Sequence, residues 1–198
     1  MTYESIILAS ASERRSRLLV QIGVRHEICA QHLDERLQAG ELPRDYVERL
    51  ARAKAAAAVQ ALGLRADRPV LAADTAVVLG GQVYGKPADA AECVAILSAL
   101  SGRMHEVMTG LVVQHAGMLH RGFSVSRVRF RAIDAVEARR YWATGEPAGK
   151  AGAYAIQGLG AVFVEHIDGS HSGVMGLPLY ETAALLDGLG VRRWQQTP

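Results

Sequence analysis

Two extended runs, near Met104 to Gln114 and Leu119 to Phe130, meet at Ala116-Gly117, so the fold must contain a long antiparallel pair. Helical patterns surround it. Pro43 and Asp45 open a helix running to about Leu62 and ended by Gly63. Others span Ala88 to Leu100, Asp134 to Trp142 with a stop at Gly145, and Pro178 to Leu189. Shorter apolar runs read as strands: Ile6 to Ala9, Pro69 to Ala73, and Ala161 to Ile167. Ala76 to Leu79 stays extended up to a Gly80-Gly81 hairpin turn into Gln82-Val83-Tyr84. Crossover helices mixed with long antiparallel strands predict an α/β fold, an elongated mixed sheet flanked by helices, in one domain over residues 1–198.

The start of the chain carries the clearest chemical signal. After Ile6-Ile7-Leu8-Ala9 come Ser10, Ala11 and Ser12, then a helix with Leu18, Leu19 and Ile22 at helical spacing and Gly23 as its stop. Arg14 and Arg15 sit in its first turn. That end of a helix already carries partial positive charge, so stability alone favours acidic residues there. A cationic first turn with free backbone N–H groups suits a docked phosphate. Two arginines pointing into water are the plainer alternative.

Composition narrows the class. Of 198 residues, 49% are hydrophobic and 21% charged, as in an ordinary globular protein. A net charge of +2 is too small for a protein that coats nucleic acid. Glu4 interrupts any secretory signal pattern, and no stretch approaches the ~20 apolar residues of a membrane span. Cys29 and Cys93 lie outside any CxxC motif and read as free thiols of a cytoplasmic protein.

Three further polar groups stand where a core would not put them. Lys54 shares the helical face of Val47, Leu50 and Ala58, so it either snorkels out or meets an anion. Asp74 ends the buried run Leu71-Ala72-Ala73, at the kind of strand terminus where α/β sheets bind ligands, although a carboxylate there can equally cap a turn. Lys86 sits at the tight bend Gly85-Lys86-Pro87. Arg14, Arg15, Lys54 and Lys86 set against a few carboxylates form the charge pattern of a polyphosphate site with a divalent metal. Arg121, Arg127, Arg129 and Arg131 read as a solvated basic strand face rather than a nucleic-acid surface, and the histidines show no metal-ligand spacing.

The segments LASASERRSRLL, Leu33-Asp34-Glu35, YVERLARAKA (Tyr46 to Ala55) and AADTAVVLGGQVYGKP (Ala72 to Pro87) resemble the Maf family of nucleoside triphosphate pyrophosphatases. LSGRMHEVMTG (Leu100 to Gly110), the glycine-rich GKAGAYAIQGLGAVFVEHIDGS (Gly149 to Ser170) and VMGLPLYET (Val174 to Thr182) extend the resemblance over about nine-tenths of the chain. It implies an inosine triphosphatase-like fold of two lobes with a central nucleotide cleft. It implies a cytoplasmic enzyme that splits the α–β phosphoanhydride, a divalent cation (Mg²⁺, Mn²⁺ or Co²⁺) and a homodimer, with neither nucleic acid nor membrane as partner. By the same resemblance Asp74 is the proton acceptor, Ser10, Arg15, Lys54 and Lys86 line the phosphate site, and Glu35 with Asp74 lies at the metal. Arg14, Thr75 and Gln157 resemble the branch acting on dTTP and UTP, where the 7-methyl-GTP branch has Trp, Gln and Glu. Glu13 replaces the usual proline and Ala53 a frequent glutamate. A non-catalytic nucleotide sensor in cell division is the alternative function.

Overall fold

A computed structural model describes residues 2–63 and 67–195. β1 (Ser5–Leu8), α1 (Glu13–Gln21), β2 (Arg25–Ile28) and α2 (Pro43–Leu62) come first, followed by β3 (Val70–Leu79), β4 (Gln82–Tyr84) and α3 (Ala90–Leu100). The long hairpin β5 (Met104–His115) and β6 (Met118–Phe130) leads to α4 (Ala135–Ala143), β7 (Val164–Asp168), α5 (His171–Met175) and α6 (Leu179–Gly188). The strands form one sheet in the order β2-β1-β3-β5-β6-β7, with β4 also paired to β3. β1 runs parallel to both of its neighbours, and the remaining pairs are antiparallel. The expected mixed sheet flanked by helices is present. No described helix is long and apolar enough to cross a membrane, and Cys29 and Cys93 are free thiols.

Several boundaries differ from the sequence reading, each for a physical reason. Asp74 does not end a strand. β3 runs unbroken through it, because β5 pairs with every residue from Val70 to Val78 and small side chains at Ala72, Ala73 and Ala76 tolerate burial on both faces. β7 starts at Val164, since Leu159–Phe163 winds into a 3₁₀ turn. The glycine-rich segment is packed against the rest of the fold, with Gly152 to Ile156 buried. β2 and α5 carry little sequence signal, one being a short polar edge strand and the other five residues long.

Alternation along β3 sorts its side chains between two layers. Val70 and Ala72 join Ile7, Ala51, Ala55 and Ala58 beneath α2, whereas Leu71 and Ala73 join Leu18, Leu19, Leu177 and Leu186 beneath α1 and α6. The alanines of α2 let that helix lie close on the sheet. Beyond them Val77 belongs to a second large core with Leu97, Leu100, Phe130, Tyr141, Tyr154 and Phe163. Burying each large apolar side chain in these layers stabilises the fold by about 1.5–3 kcal/mol.

One feature of the topology creates the site. β1 pairs with β3 only at Val70 and Leu71, and β4 pairs with it only from Val77 to Leu79. Between those stretches, one edge of β3 has no partner strand among the described residues. The gap divides two lobes, and Asp74 and Thr75 lie in it.

Candidate active site

A cleft of about 1070 Å³ opens at this gap, at the upper end of the volumes typical of small-molecule sites. Asp74 and Thr75 form its floor. Being consecutive in a strand, they face opposite layers, Asp74 toward α2 and Thr75 toward α1 and α5.

On the Asp74 side the register matters. Asp74 pairs with Gly110 of β5, and a Cβ at Gly110 would lie 2.9 Å from the Val47 carbonyl of α2. Glycine therefore lets α2 press directly on the sheet at this point. Two turns further along that helix, Lys54 reaches Asp74 Oδ1 at 2.5 Å and Glu35 Oε1 at 2.6 Å. Lys86 completes the row, with its Nζ 2.7 Å from Glu35 Oε2. The order Asp74, Lys54, Glu35, Lys86 alternates in charge. An ammonium has three donors, so two occupied by carboxylates leave one on Lys54 for a ligand. Burial pushes the Glu35 carboxyl up, but hydrogen bonds from Lys54 and Lys86, with their charges, outweigh that and hold it at about 2.

Glu35 belongs to a segment, residues 29–42, without helix or strand. Its placement depends on α2. Tyr46 Oη donates to the Glu35 carbonyl at 2.9 Å, and Arg49 Nη2 donates to the Arg36 carbonyl at 3.1 Å while its guanidinium also pairs with Glu41. These supporting residues were not foreseen from sequence, although both lie within the motif Tyr46 to Ala55.

On the Thr75 side stands Arg15, buried at the start of α1. Its Nε donates to the Gly176 carbonyl (2.8 Å), Nη1 to Ser10 Oγ (3.1 Å) and Nη2 to Thr75 Oγ1 (3.2 Å). A guanidinium carries five N–H groups, so three engaged leave two for an anion. Desolvation lowers the Arg15 pKa, partly countered by the Asp74 charge, yet arginine stays protonated in proteins. Ser10 Oγ also accepts the backbone N–H of Ser12, whose own side chain makes no capping bond. The first backbone N–H groups of α1 therefore lack a side-chain cap and border the cleft, as a phosphate site requires.

Thr75 is bound on two sides. Thr109, opposite it in register, donates its only hydroxyl proton to the Gly173 carbonyl at 3.1 Å. The 3.0 Å contact between the two hydroxyls therefore has Thr75 as donor. With its proton committed to Thr109 and an N–H from Arg15 arriving, Thr75 offers a ligand acceptor capacity only.

The remaining expected residues line the other end of the cleft. Arg14 has a buried Nε without a hydrogen-bond partner, and desolvation lowers its pKa. Gln157 is exposed and its amide makes no protein hydrogen bond among the described residues. Lys150, which the sequence reading passed over, lines the cleft too; burial and the Arg14 charge depress its pKa. Glu13 pairs with Arg17 along the exposed surface of α1, a contact worth little in stability. All nine expected residues thus border one cleft.

Residues 5–189 match the Maf-like protein family. The chain belongs to the Maf family. Among curated relatives, a protein of Cupriavidus pinatubonensis named dTTP/UTP pyrophosphatase is 50% identical over 192 residues, covering 93% of this chain and 96% of its own. A protein of the same name from Ralstonia nicotianae is 52% identical over 191 residues, covering 91% and 92%. Among solved structures, the Ham1 protein of Staphylococcus aureus aligns with a TM-score of 0.44 and 16% identity over 64% of this chain and 72% of its own. In this Maf chain the motif residues lie on opposite walls of the gap in the sheet, with Asp74 and Thr75 between them.

Proposed function

We propose that this Maf protein hydrolyses dTTP and UTP at the α–β phosphoanhydride, giving the nucleoside monophosphate and pyrophosphate, as house-cleaning of the cytoplasmic nucleotide pool. The observation that carries this reading is the row Asp74–Lys54–Glu35–Lys86 facing Arg15, whose guanidinium keeps two N–H groups free. Such a site offers a carboxylate to a water and cationic donors to phosphates. The names of its near-full-length relatives support the choice of pyrimidine nucleotides.

In the reaction, Asp74 accepts a proton from the attacking water as its oxygen bonds to the α-phosphorus. The bond from that phosphorus to the bridging oxygen breaks, and pyrophosphate departs with the added charge. Arg15, Lys86 and the free donor of Lys54 stabilise that charge. Among the described residues no group of three or more acidic, histidine or cysteine side chains could hold a metal by itself. Glu35 and Asp74, both drawn to Lys54, fit a cation that takes one or two carboxylates and completes its shell with substrate phosphates and water. When bound, it supplies charge neutralisation at the phosphate oxygens.

At the far end of the cleft, Gln157 and Arg14 read the base. A neutral amide both donates and accepts, so it suits the imide edge of thymine or uracil. The family's habit extends the proposal to a homodimer, which light scattering of the purified protein tests. Pyrophosphate release is the deciding measurement for the activity. Purified protein with Mg²⁺, Mn²⁺ or Co²⁺ is expected to release it from dTTP and UTP well above purine triphosphates, and to lose activity on chelation. No release from any nucleotide identifies a sensor, and equal kcat/KM for UTP and GTP refutes the base pocket while leaving the reaction class standing.

A further inference from the structure

The segment carrying Gln157 is held in a conformation that its own backbone does not favour. Ala153 has φ 58°, a left-handed value costly for a residue with a Cβ. Short turns run along the segment, with the Ala153 N–H on the Lys150 carbonyl at 3.0 Å and the Gly158 N–H on the Ala155 carbonyl at 3.1 Å, and longer-range bonds fix those turns to the rest of the fold. Gly152 N–H reaches the Gly85 carbonyl at 3.0 Å at one end. The rest converges on a single carboxylate.

Glu146, just beyond α4, accepts three hydrogen bonds. Tyr141 Oη donates to its Oε1 at 2.6 Å, the Gly160 N–H to the same oxygen at 2.8 Å, and the Leu159 N–H to Oε2 at 2.9 Å. Tyr141 Oη in turn accepts the Ala155 N–H at 3.2 Å. Gln157 thus has anchored backbone on both sides, at Ala155 through Tyr141 and at Leu159 and Gly160 through Glu146. The sequence of the segment is fitted to this arrangement. A Cβ at Gly158 would fall 2.1 Å from Glu146 Oε2, and one at Gly160 would fall 2.6 Å from Tyr141 Oη. Gly158 and Gly160, which follow Gln157, are therefore spaces for the Glu146–Tyr141 pair, and not signs of a mobile loop.

We infer that Glu146, with Tyr141, is a specificity-positioning residue: its carboxylate fixes the turn that presents the Gln157 amide to the nucleotide base. The inference rests on the reading of Gln157 as base-recognising. It assigns no contact with substrate to Glu146 itself. With the backbone beneath it fixed, binding has to order only the Gln157 side chain and not the turn as well, which lowers the ordering cost. The loss should fall on pyrimidine recognition and spare the phosphate end, which Glu146 does not touch.

The test compares Glu146→Ala, Glu146→Gln, Tyr141→Phe and Gln157→Ala with the wild type, using UTP and GTP as probes and thermal melting as the fold control. Glu146→Ala is expected to raise the KM for UTP about 10-fold with kcat within about 3-fold, and to leave GTP kinetics nearly unchanged, so that discrimination falls about 10-fold. Glu146→Gln keeps one acceptor oxygen and should lose only about 3-fold of the discrimination. Should Glu146→Ala not fold, Glu146→Gln and Tyr141→Phe carry the same comparison. A purely structural Glu146 would instead lower the melting temperature and the kcat for both nucleotides alike, which overturns the inference. If Gln157→Ala abolishes discrimination and the folded Glu146 variants keep it, only the positioning role fails. If the wild type or Gln157→Ala shows that Gln157 has no part in discrimination, the base-reading assignment fails and the role of Glu146 falls with it.

Discussion

The two ends of the cleft solve opposite problems. At the phosphate end the side chains are tied to one another: Lys54 to Asp74 and Glu35, Lys86 to Glu35, Arg15 to Ser10, Thr75 and Gly176. At the base end the backbone is tied and the side chains are left open, with Gln157 unbonded and Arg14 Nε without a partner. Charges that must meet a polyanion are fixed in advance, which avoids reorganisation when charge develops. Groups that must read a neutral base keep their hydrogen-bonding capacity for it. Selectivity then depends on holding the chain beneath them.

The most severe break belongs to the phosphate end. Asp74→Asn keeps size and hydrogen bonding but removes the charge, and turnover should fall by about 10²-fold or more with the fold retained. A folded variant with near-normal turnover would exclude Asp74 as the base. Lys54→Met should follow, with a rate loss of about 30-fold. The apolar face of α2 alone would make this change harmless to stability. Here it leaves the largely buried Asp74 carboxylate unpaired, so unfolding in denaturant should show a loss of about 1–3 kcal/mol. An unchanged midpoint would mean that the row of alternating charges is not coupled.

The base end should respond in selectivity more than in chemistry. Gln157→Glu places a charge against the carbonyl acceptors of a pyrimidine, and turnover of UTP should drop about 10-fold. At the phosphate end a smaller effect is expected from Thr109→Val, which removes the acceptor of the Thr75 proton and loosens Arg15 through an intermediary. We expect a fall in kcat of about 3- to 5-fold, restored by Thr109→Ser, which keeps the hydroxyl. Equal losses in the valine and serine variants would point to packing instead.

Acid should separate the two regions by their titration windows. Desolvation holds His105, buried against Phe130 and Tyr154, down at about 4 from an ordinary 6.5. A lowered histidine stabilises the fold above its unfolded pKa, and this contribution is lost as pH falls from about 6.5 toward 4. Glu35, held at about 2 against an ordinary 4.5, contributes above 4.5, and its share is lost only between 4.5 and 2. Amide exchange followed against pH should therefore loosen the core around Phe130 before the segment at Glu35. Simultaneous loosening would contradict the assignment.

Much of this was legible in the chain, unevenly. Helical spacing located Lys54 on the buried face of α2, and the mismatch of Arg14 and Arg15 with the helix dipole left a docked phosphate or two solvated arginines as alternatives; Arg15 is in fact buried at the cleft wall. The local pattern could not give the mid-strand position of Asp74. Whether alanines continue a strand or end it depends on the neighbour, and β5 supplies that neighbour from over thirty residues away. Glu146 was equally hidden. Its sequence neighbours, Gly145 and Pro147, suggest a plain turn, and its role exists only because Leu159 and Gly160 return to it. The committed proton of Thr75 likewise follows from cross-strand pairing with Thr109, which no spacing reveals.

The unbroken run of β3, β5 and β6 beneath the gap also has a mechanical consequence. Antiparallel pairing carries the same strands from one lobe into the other, with continuous ladders on both sides of β5. Such a spine behaves as a leaf spring: it twists, but it has no single joint about which the lobes could swing apart. Substrate entry must then be accommodated by residues 29–42, the part of the cleft wall without helix or strand, while the anchored Gln157 turn and the catalytic floor keep their shape through each turnover.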